Sequence, residues 1–128
     1  MPYYRRRYDA GATYFFTLVT ERRRPLFRDP NARGLLRRAL AATRSRWPFE
    51  LWAAVLLPEH MHCIWILPPD DADYSRRWSL LKRLFSQGWR DGGHSPSSPT
   101  PSRARHRELG VWQRRFWEHQ ISDDGELL

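Results

Sequence analysis

The sequence predicts a single α+β domain built as one antiparallel sheet covered by two helices. Three observations predict it. Segments of strand composition alternate with segments of helical period, in the order strand, helix, strand, strand, helix, strand. Two of the strands are joined by the short turn Pro58-Glu59, which suits an antiparallel hairpin, whereas a parallel pair needs a long crossover. At 128 residues the chain can bury one ordinary core. The order is that of the split βαβ, ferredoxin-like arrangement, a fold with many unrelated functions, so the site has to decide the function.

Each element has a local reason. Thr13 to Thr20 is rich in aromatic and β-branched residues and reads as the first strand, entered at Gly11 and ended by Arg22-Arg23-Arg24-Pro25. Asp29 or Asn31 can cap a helix over 31–46, with Leu35, Leu36, Ala39, Leu40 and Thr43 on one face, and Pro48 stops it. Phe49 to Leu57 is largely apolar and predicts a second strand covered on both faces. His60 to Leu67 follows as the third strand, closed by Pro68-Pro69. Asp73 caps a helix over 74–89 whose apolar side carries Tyr74, Trp78, Leu81, Leu84, Phe85 and Trp89. Arg76, Lys82, Arg83 and Arg90 fall on its other side, with Arg77 at the margin. Val111 to Ile121 predicts the fourth strand, and Ser122-Asp123-Asp124 resembles the cap of another helix. The domain is expected to carry a basic-aromatic arm at 1–10 and a flexible basic loop at 91–107.

Charge narrows the classes of function. The chain carries a formal net charge of +8, and all its basic residues but Lys82 are arginine. Arginine's planar fork meets phosphate oxygens two at a time, which a point-like ammonium cannot do. From Ser75 to Arg115 ten basic residues stand against Asp91 and Glu108, while the rest of the chain balances to zero. A compositional bias would spread the excess evenly, so the clustering points to a polyanion. The single cysteine, Cys63, excludes an internal disulfide and suits a reducing cytoplasm. No apolar run reaches the roughly 20 residues of a membrane span, so a soluble cytoplasmic protein is expected.

His60 and His62 are the chemically informative pair. Residues two apart on a strand project from one face, so both imidazoles can reach one metal ion. An isolated His-x-His is more often a coincidence, and imidazole alone does not name the ion. The surrounding string, Leu57-Pro58-Glu59-His60-Met61-His62-Cys63-Ile64-Trp65, adds the context. It resembles the His-hydrophobic-His signature of the HUH single-tyrosine endonucleases, most closely the transposases associated with repetitive extragenic palindromes (REP) within the IS200-like superfamily. The segments Gly11 to Thr17, Asp73 to Trp78 with Lys82, and Gly110 to His119 resemble the same family in the same order.

The resemblance implies a divalent metal, magnesium or manganese, held by His60 and His62 against a scissile phosphate of single-stranded DNA. It implies a tyrosine nucleophile, a 5′-phosphotyrosine intermediate and recognition of hairpin palindromic DNA. Arg76, Arg77, Lys82, Arg83, Arg114 and Arg115 are the candidate phosphate contacts. The family places its tyrosine, and a further metal ligand, on the helix after the fourth strand. Here the chain reaches Leu128 before such a helix, so no catalytic nucleophile is identified and the chain is expected to be C-terminally truncated and inactive alone. A homodimer remains open, since family members dimerise, but two copies would lack the same residue. The alternative function is a non-catalytic palindrome-binding remnant or repressor. A weaker one, an RNA-binding ferredoxin-like domain, calls for exposed aromatics where the central strand carries histidines.

Other residues have competing readings. Glu59 adjoins His60, but strand alternation would send it to the opposite side, as a turn-facing surface carboxylate. Of Glu118 and His119, one can share the histidines' face as a third ligand, although a solvated or structural role is the commoner outcome. Trp112 and Trp117 are base-stacking platforms or core residues. Cys63 reads as a small buried hydrophobe.

Overall fold

The computed structural model describes residues 8–92, 111–113 and 115–121. Most of the arm at 1–10, nearly all of the loop at 91–107 with His94 and His106, Arg114, and the segment after Ile121 lie outside the described residues.

The elements appear in the expected order: β1 (Thr13–Val19), α1 (Pro30–Arg46), β2 (Glu50–Leu56), β3 (His60–Ile66), α2 (Tyr74–Asp91) and β4 (Trp117–Ile121). Every strand pair is antiparallel, and the sheet order is β2-β3-β1-β4. This is the α+β, ferredoxin-like architecture. Both helices start at side-chain caps. Asp29 accepts from the Asn31 amide at 2.8 Å, ahead of Pro30, and Asp73 accepts from the Arg76 amide at 2.9 Å.

The helices cover one face of the sheet. Tyr14, Phe16 and Leu18 of β1 and Met61, Cys63 and Trp65 of β3 point into that layer, where Leu36 and Ala39 of α1 and Trp78, Leu81 and Phe85 of α2 meet them. The Trp65 ring is sandwiched, stacked on Phe49 at 4.0 Å and on Trp78 at 4.1 Å between centroids. Large rings in contact contribute both buried area and favourable ring geometry. Cys63 sits in this layer as a buried thiol, and burial pushes its pKa up. The helices approach closely at Gly88, where a Cβ would lie 2.7 Å from Leu35 Cδ2.

Two expectations about strands need correction. β2 is an edge strand with Trp52 and Val55 at least half exposed, rather than one covered on both faces. Its apolar sequence does not distinguish double burial from an apolar edge. β4 begins at Trp117, not Val111. The preceding segment meets the sheet through one bridge between Thr20 and Trp112, with Gln113 N donating to Val19 O at 2.9 Å. Trp112 and Phe116 are buried there, and packing sets their path in place of a ladder.

Candidate metal centre and nucleic-acid interface

The alternation that buries Met61, Cys63 and Trp65 leaves His60 and His62 on the face of the sheet away from the helices, both half-buried. They point the same way from an interior strand, as expected of a ligand pair, with ring centroids 4.8 Å apart. Register places Thr17 opposite His62 and Val19 opposite His60. The same pairing puts Thr17 against Trp117 and Phe15 against His119 on the other side of β1. Trp117, Thr17, His62 and Val55 therefore form one row across the open face.

Each imidazole has one nitrogen already engaged. Thr17 Oγ1 lies 2.9 Å from His62 Nδ1, and Glu59 Oε1 lies 3.0 Å from His60 Nδ1. With both Nδ1 atoms engaged, the Nε2 atoms are the ring positions left for a further partner. Outer partners of this kind fix the ring orientation and raise the basicity of a metal-binding histidine. Phe15 stacks on His62 at 5.3 Å. Burial, and then the neighbouring His60, hold the His62 pKa below its usual value, which favours the neutral ring a metal requires.

The backbone under the pair is fixed from a third side. Thr20, fully buried, donates its amide to Glu59 O at 2.9 Å, and its hydroxyl lies 3.0 Å from the same oxygen and 2.8 Å from Arg24 O. Phe27 N donates to Pro58 O at 3.0 Å. The turn before His60 is thus held by the end of β1 and the segment that follows it. Glu59 corrects the sequence expectation. It precedes the strand, so alternation does not govern it, and its carboxylate turns towards His60. The role of Thr17 needed the β1–β3 register, which no local pattern supplies.

His119 shares the histidines' face but stands two strands from His62, with Phe15 between them. Among the described residues no group of three His, Cys, Asp or Glu could hold a metal. Tyr8, Tyr14 and Tyr74 gather on the helix side, Tyr74 lying 4.8 Å from each of the other two ring centroids. Tyr3 and Tyr4 lie outside the described residues.

The expected phosphate contacts separate into different environments. Arg76 and Arg83 are exposed on α2 and line a cleft of about 590 Å³ with Arg46 and Trp47. The Arg76 guanidinium lies 3.8 Å from the Trp47 ring centroid. Arg115 is exposed, and Arg114 lies outside the described residues. Lys82 is half-buried, with Nζ donating to Gln113 O at 3.0 Å. Arg77 is a different case, only 1% exposed. It donates to Trp47 O, Pro48 O and Asp73 O and grips both oxygens of Asp71 at 3.1 and 3.0 Å. Its hydrogen bonds hold the Asp71 carboxyl at about 2, below the ordinary 3.8. Arg77 therefore ties the start of α2 to the end of α1, and its buried fork corrects the expectation of a phosphate contact. The two tryptophans also divide: Trp112 is buried against Phe27 and Phe85, and Trp117 is 57% exposed beside Thr17.

No protein-family model matches the chain. A REP-associated tyrosine transposase of Escherichia coli is 39% identical over 121 residues, 94% of this chain and 62% of that protein. A Haemophilus influenzae protein assigned to the same group is 37% identical over 127 residues, 99% of this chain and 70% of that protein. This chain thus spans less than two thirds of the length of the Escherichia coli relative. Among solved structures, a REP-associated tyrosine transposase bound to a REP hairpin superposes with a TM-score of 0.76 at 38% identity, covering 99% of this chain and 66% of the other. A Deinococcus radiodurans protein assigned to the transposases shares the fold at 17% identity and a TM-score of 0.65, covering 98% of this chain and 91% of the other. Identity of this level across nearly the whole chain, on the same architecture, places the chain in the REP-associated tyrosine transposase family.

Proposed function

We propose that this chain carries the metal-binding strand of a DNA strand-transfer domain, which grips hairpin DNA and presents a scissile phosphate to His60 and His62. The observation that carries the reading is the paired imidazole geometry. Two rings lie on one open face, and each is oriented through Nδ1 by a separate partner, Thr17 or Glu59. Such an arrangement fits a divalent ion, and two nitrogen donors leave most coordination positions to oxygen ligands. Manganese accepts imidazole more readily than magnesium, which favours an all-oxygen shell. When bound, the ion would polarise a phosphate and stabilise the charge that develops on it.

The partner in this reading is single-stranded or hairpin palindromic DNA. Support comes from the excess of arginine and from a relative whose structure holds a REP hairpin. Arg83 and Arg115 are exposed towards phosphates, Arg76 is exposed but paired with Asp71 at 3.9 Å and Asp73 at 3.7 Å, and Arg114 is a further candidate. The reaction proposed for the family site is cleavage and rejoining through a 5′-phosphotyrosine. The described tyrosines stand on the helix side, away from the histidines, which favours a second reading for the chain by itself: a module that binds palindromic DNA without cutting it.

The test is incubation of the 128-residue chain with labelled hairpin DNA and manganese, followed by native and denaturing electrophoresis. The expected result is a retarded complex and no covalent adduct. A covalent band that disappears in the His60→Ala/His62→Ala variant would show a nucleophile within this chain. Manganese titration of the same pair separates the two readings. Loss of binding in the variant supports the metal site, and undiminished binding overturns it.

A further inference from the structure

Two arginines hold left-handed backbone at the end of the sheet that carries the histidines. Arg22 has φ 54° and ψ 25°, and Arg23 has φ 51°. Side chains with a Cβ seldom take this region, because the Cβ crowds the following carbonyl. Strain of this kind persists where the surroundings over-determine the backbone, and it concentrates at functional sites. The surroundings do so here. Arg23 N donates to Thr20 O at 3.0 Å, Arg24 N to Glu21 O at 3.2 Å, and Glu21 N to Val111 O at 2.9 Å.

The location gives the strain a meaning. Val19 pairs with His60, and the two arginines come after Thr20 and Glu21, just beyond the strand end that flanks the candidate metal pair. The carbonyl gripped by Thr20 belongs to Glu59, whose carboxylate orients His60. Arg22 and Arg23 are both exposed, and neither is among the ion-paired side chains of the described residues. Glycine would take this backbone without strain. The chain has arginine at both positions, which adds two guanidiniums, each able to hold two phosphate oxygens.

We propose that Arg22 and Arg23 form a phosphate clamp for the DNA backbone beside the His60–His62 site, with the strained turn fixing where the clamp sits. The proposal deepens the proposed function and rests on the histidines being the metal pair. It assigns the backbone phosphates next to the scissile one to this turn, and leaves the α2 arginines to more distant parts of the DNA.

The experiment compares Arg22→Gly/Arg23→Gly and Arg22→Lys/Arg23→Lys with the unaltered chain. Three quantities are read: thermal midpoint, manganese affinity, and affinity for a labelled single-stranded oligonucleotide in EDTA across a salt series. In the glycine variant the midpoint should hold or rise by a few degrees, because strain relief opposes the entropy cost of glycine. Manganese affinity should stay within about twofold, and DNA affinity should fall about tenfold or more. The slope of log K against log salt should become shallower by roughly 1.4, for two single-strand phosphates at about 0.7 each. The lysine variant should restore the slope and only part of the affinity. Unchanged DNA affinity in the glycine variant would mean that the arginines do not touch DNA, and that result overturns the clamp. The His60→Ala/His62→Ala variant runs alongside: if it still binds manganese the metal reading fails, while DNA binding in EDTA judges the clamp separately.

Discussion

Thr17 Oγ1 stands 2.9 Å from His62 Nδ1, directly across the β1–β3 register, so a residue of the neighbouring strand sets the orientation of a candidate metal ligand. Glu59 does the same for His60 from the turn before the strand. Together they make the site a product of three chain segments.

Replacing Thr17 with Val keeps the shape and removes the hydroxyl. Divalent-metal affinity should then fall about 10- to 100-fold, the usual cost of losing an outer partner of a ligand histidine. Glu59→Gln should have a smaller effect, since the amide still bonds His60 but without charge. Isothermal titration with manganese measures both, and wild-type affinity in Thr17→Val would remove Thr17 from the site.

Arg77→Ala should cost stability without changing the salt dependence of DNA binding. Its fork satisfies three carbonyls and the partly exposed Asp71 carboxylate, and leaving buried acceptors unsatisfied costs about 1–3 kcal/mol. Urea unfolding reads the loss. A shallower log K–log salt slope in this variant would return Arg77 to the DNA surface.

Asp71 predicts an acid-sensitive component of stability. Its folded pKa of about 2 lies below the ordinary 3.8, chiefly through the hydrogen bonds from Arg77, so the stabilisation is fully present above 3.8. It is lost as pH falls from there towards 2, and the shift corresponds to about 2 kcal/mol. Asp71→Asn should therefore be less stable than the wild type at neutral pH, with the gap closing as the pH approaches 2. Denaturant melts across that range provide the check, and a gap that does not narrow would contradict the assignment.

Trp117→Ala should weaken single-strand binding while leaving the fold intact. The ring is 57% exposed in the row that contains His62, and stacking on one base contributes about 1–3 kcal/mol. That amounts to a loss of roughly 5- to 150-fold, read by fluorescence anisotropy. A large drop in unfolding stability instead would identify Trp117 as a packing residue.

The architecture was legible because its signals are local. Asp29 and Asp73 cap helices through their own neighbours, period sorts Trp78, Leu81 and Phe85 onto one side, and alternation alone sends His60 and His62 to a common face. Other features depend on which segments meet. Arg77 sits at the margin of a helical wheel, and only the arrival of Trp47-Pro48 buries its fork. Trp112 and Trp117 share a segment, but the path of the chain into β4 sends one into the core and leaves the other beside the histidines.

What the sequence determined by itself was the order of elements, the face shared by the two histidines and the excess of arginine. Each of these follows from residue type and a spacing of a few residues. Tertiary structure decided which groups bond the imidazoles, which arginines are buried and which exposed, and where two arginines are held in left-handed backbone. Those depend on register and on contacts between distant segments, and the energy of such contacts belongs to pairs of residues that a linear pattern does not bring together.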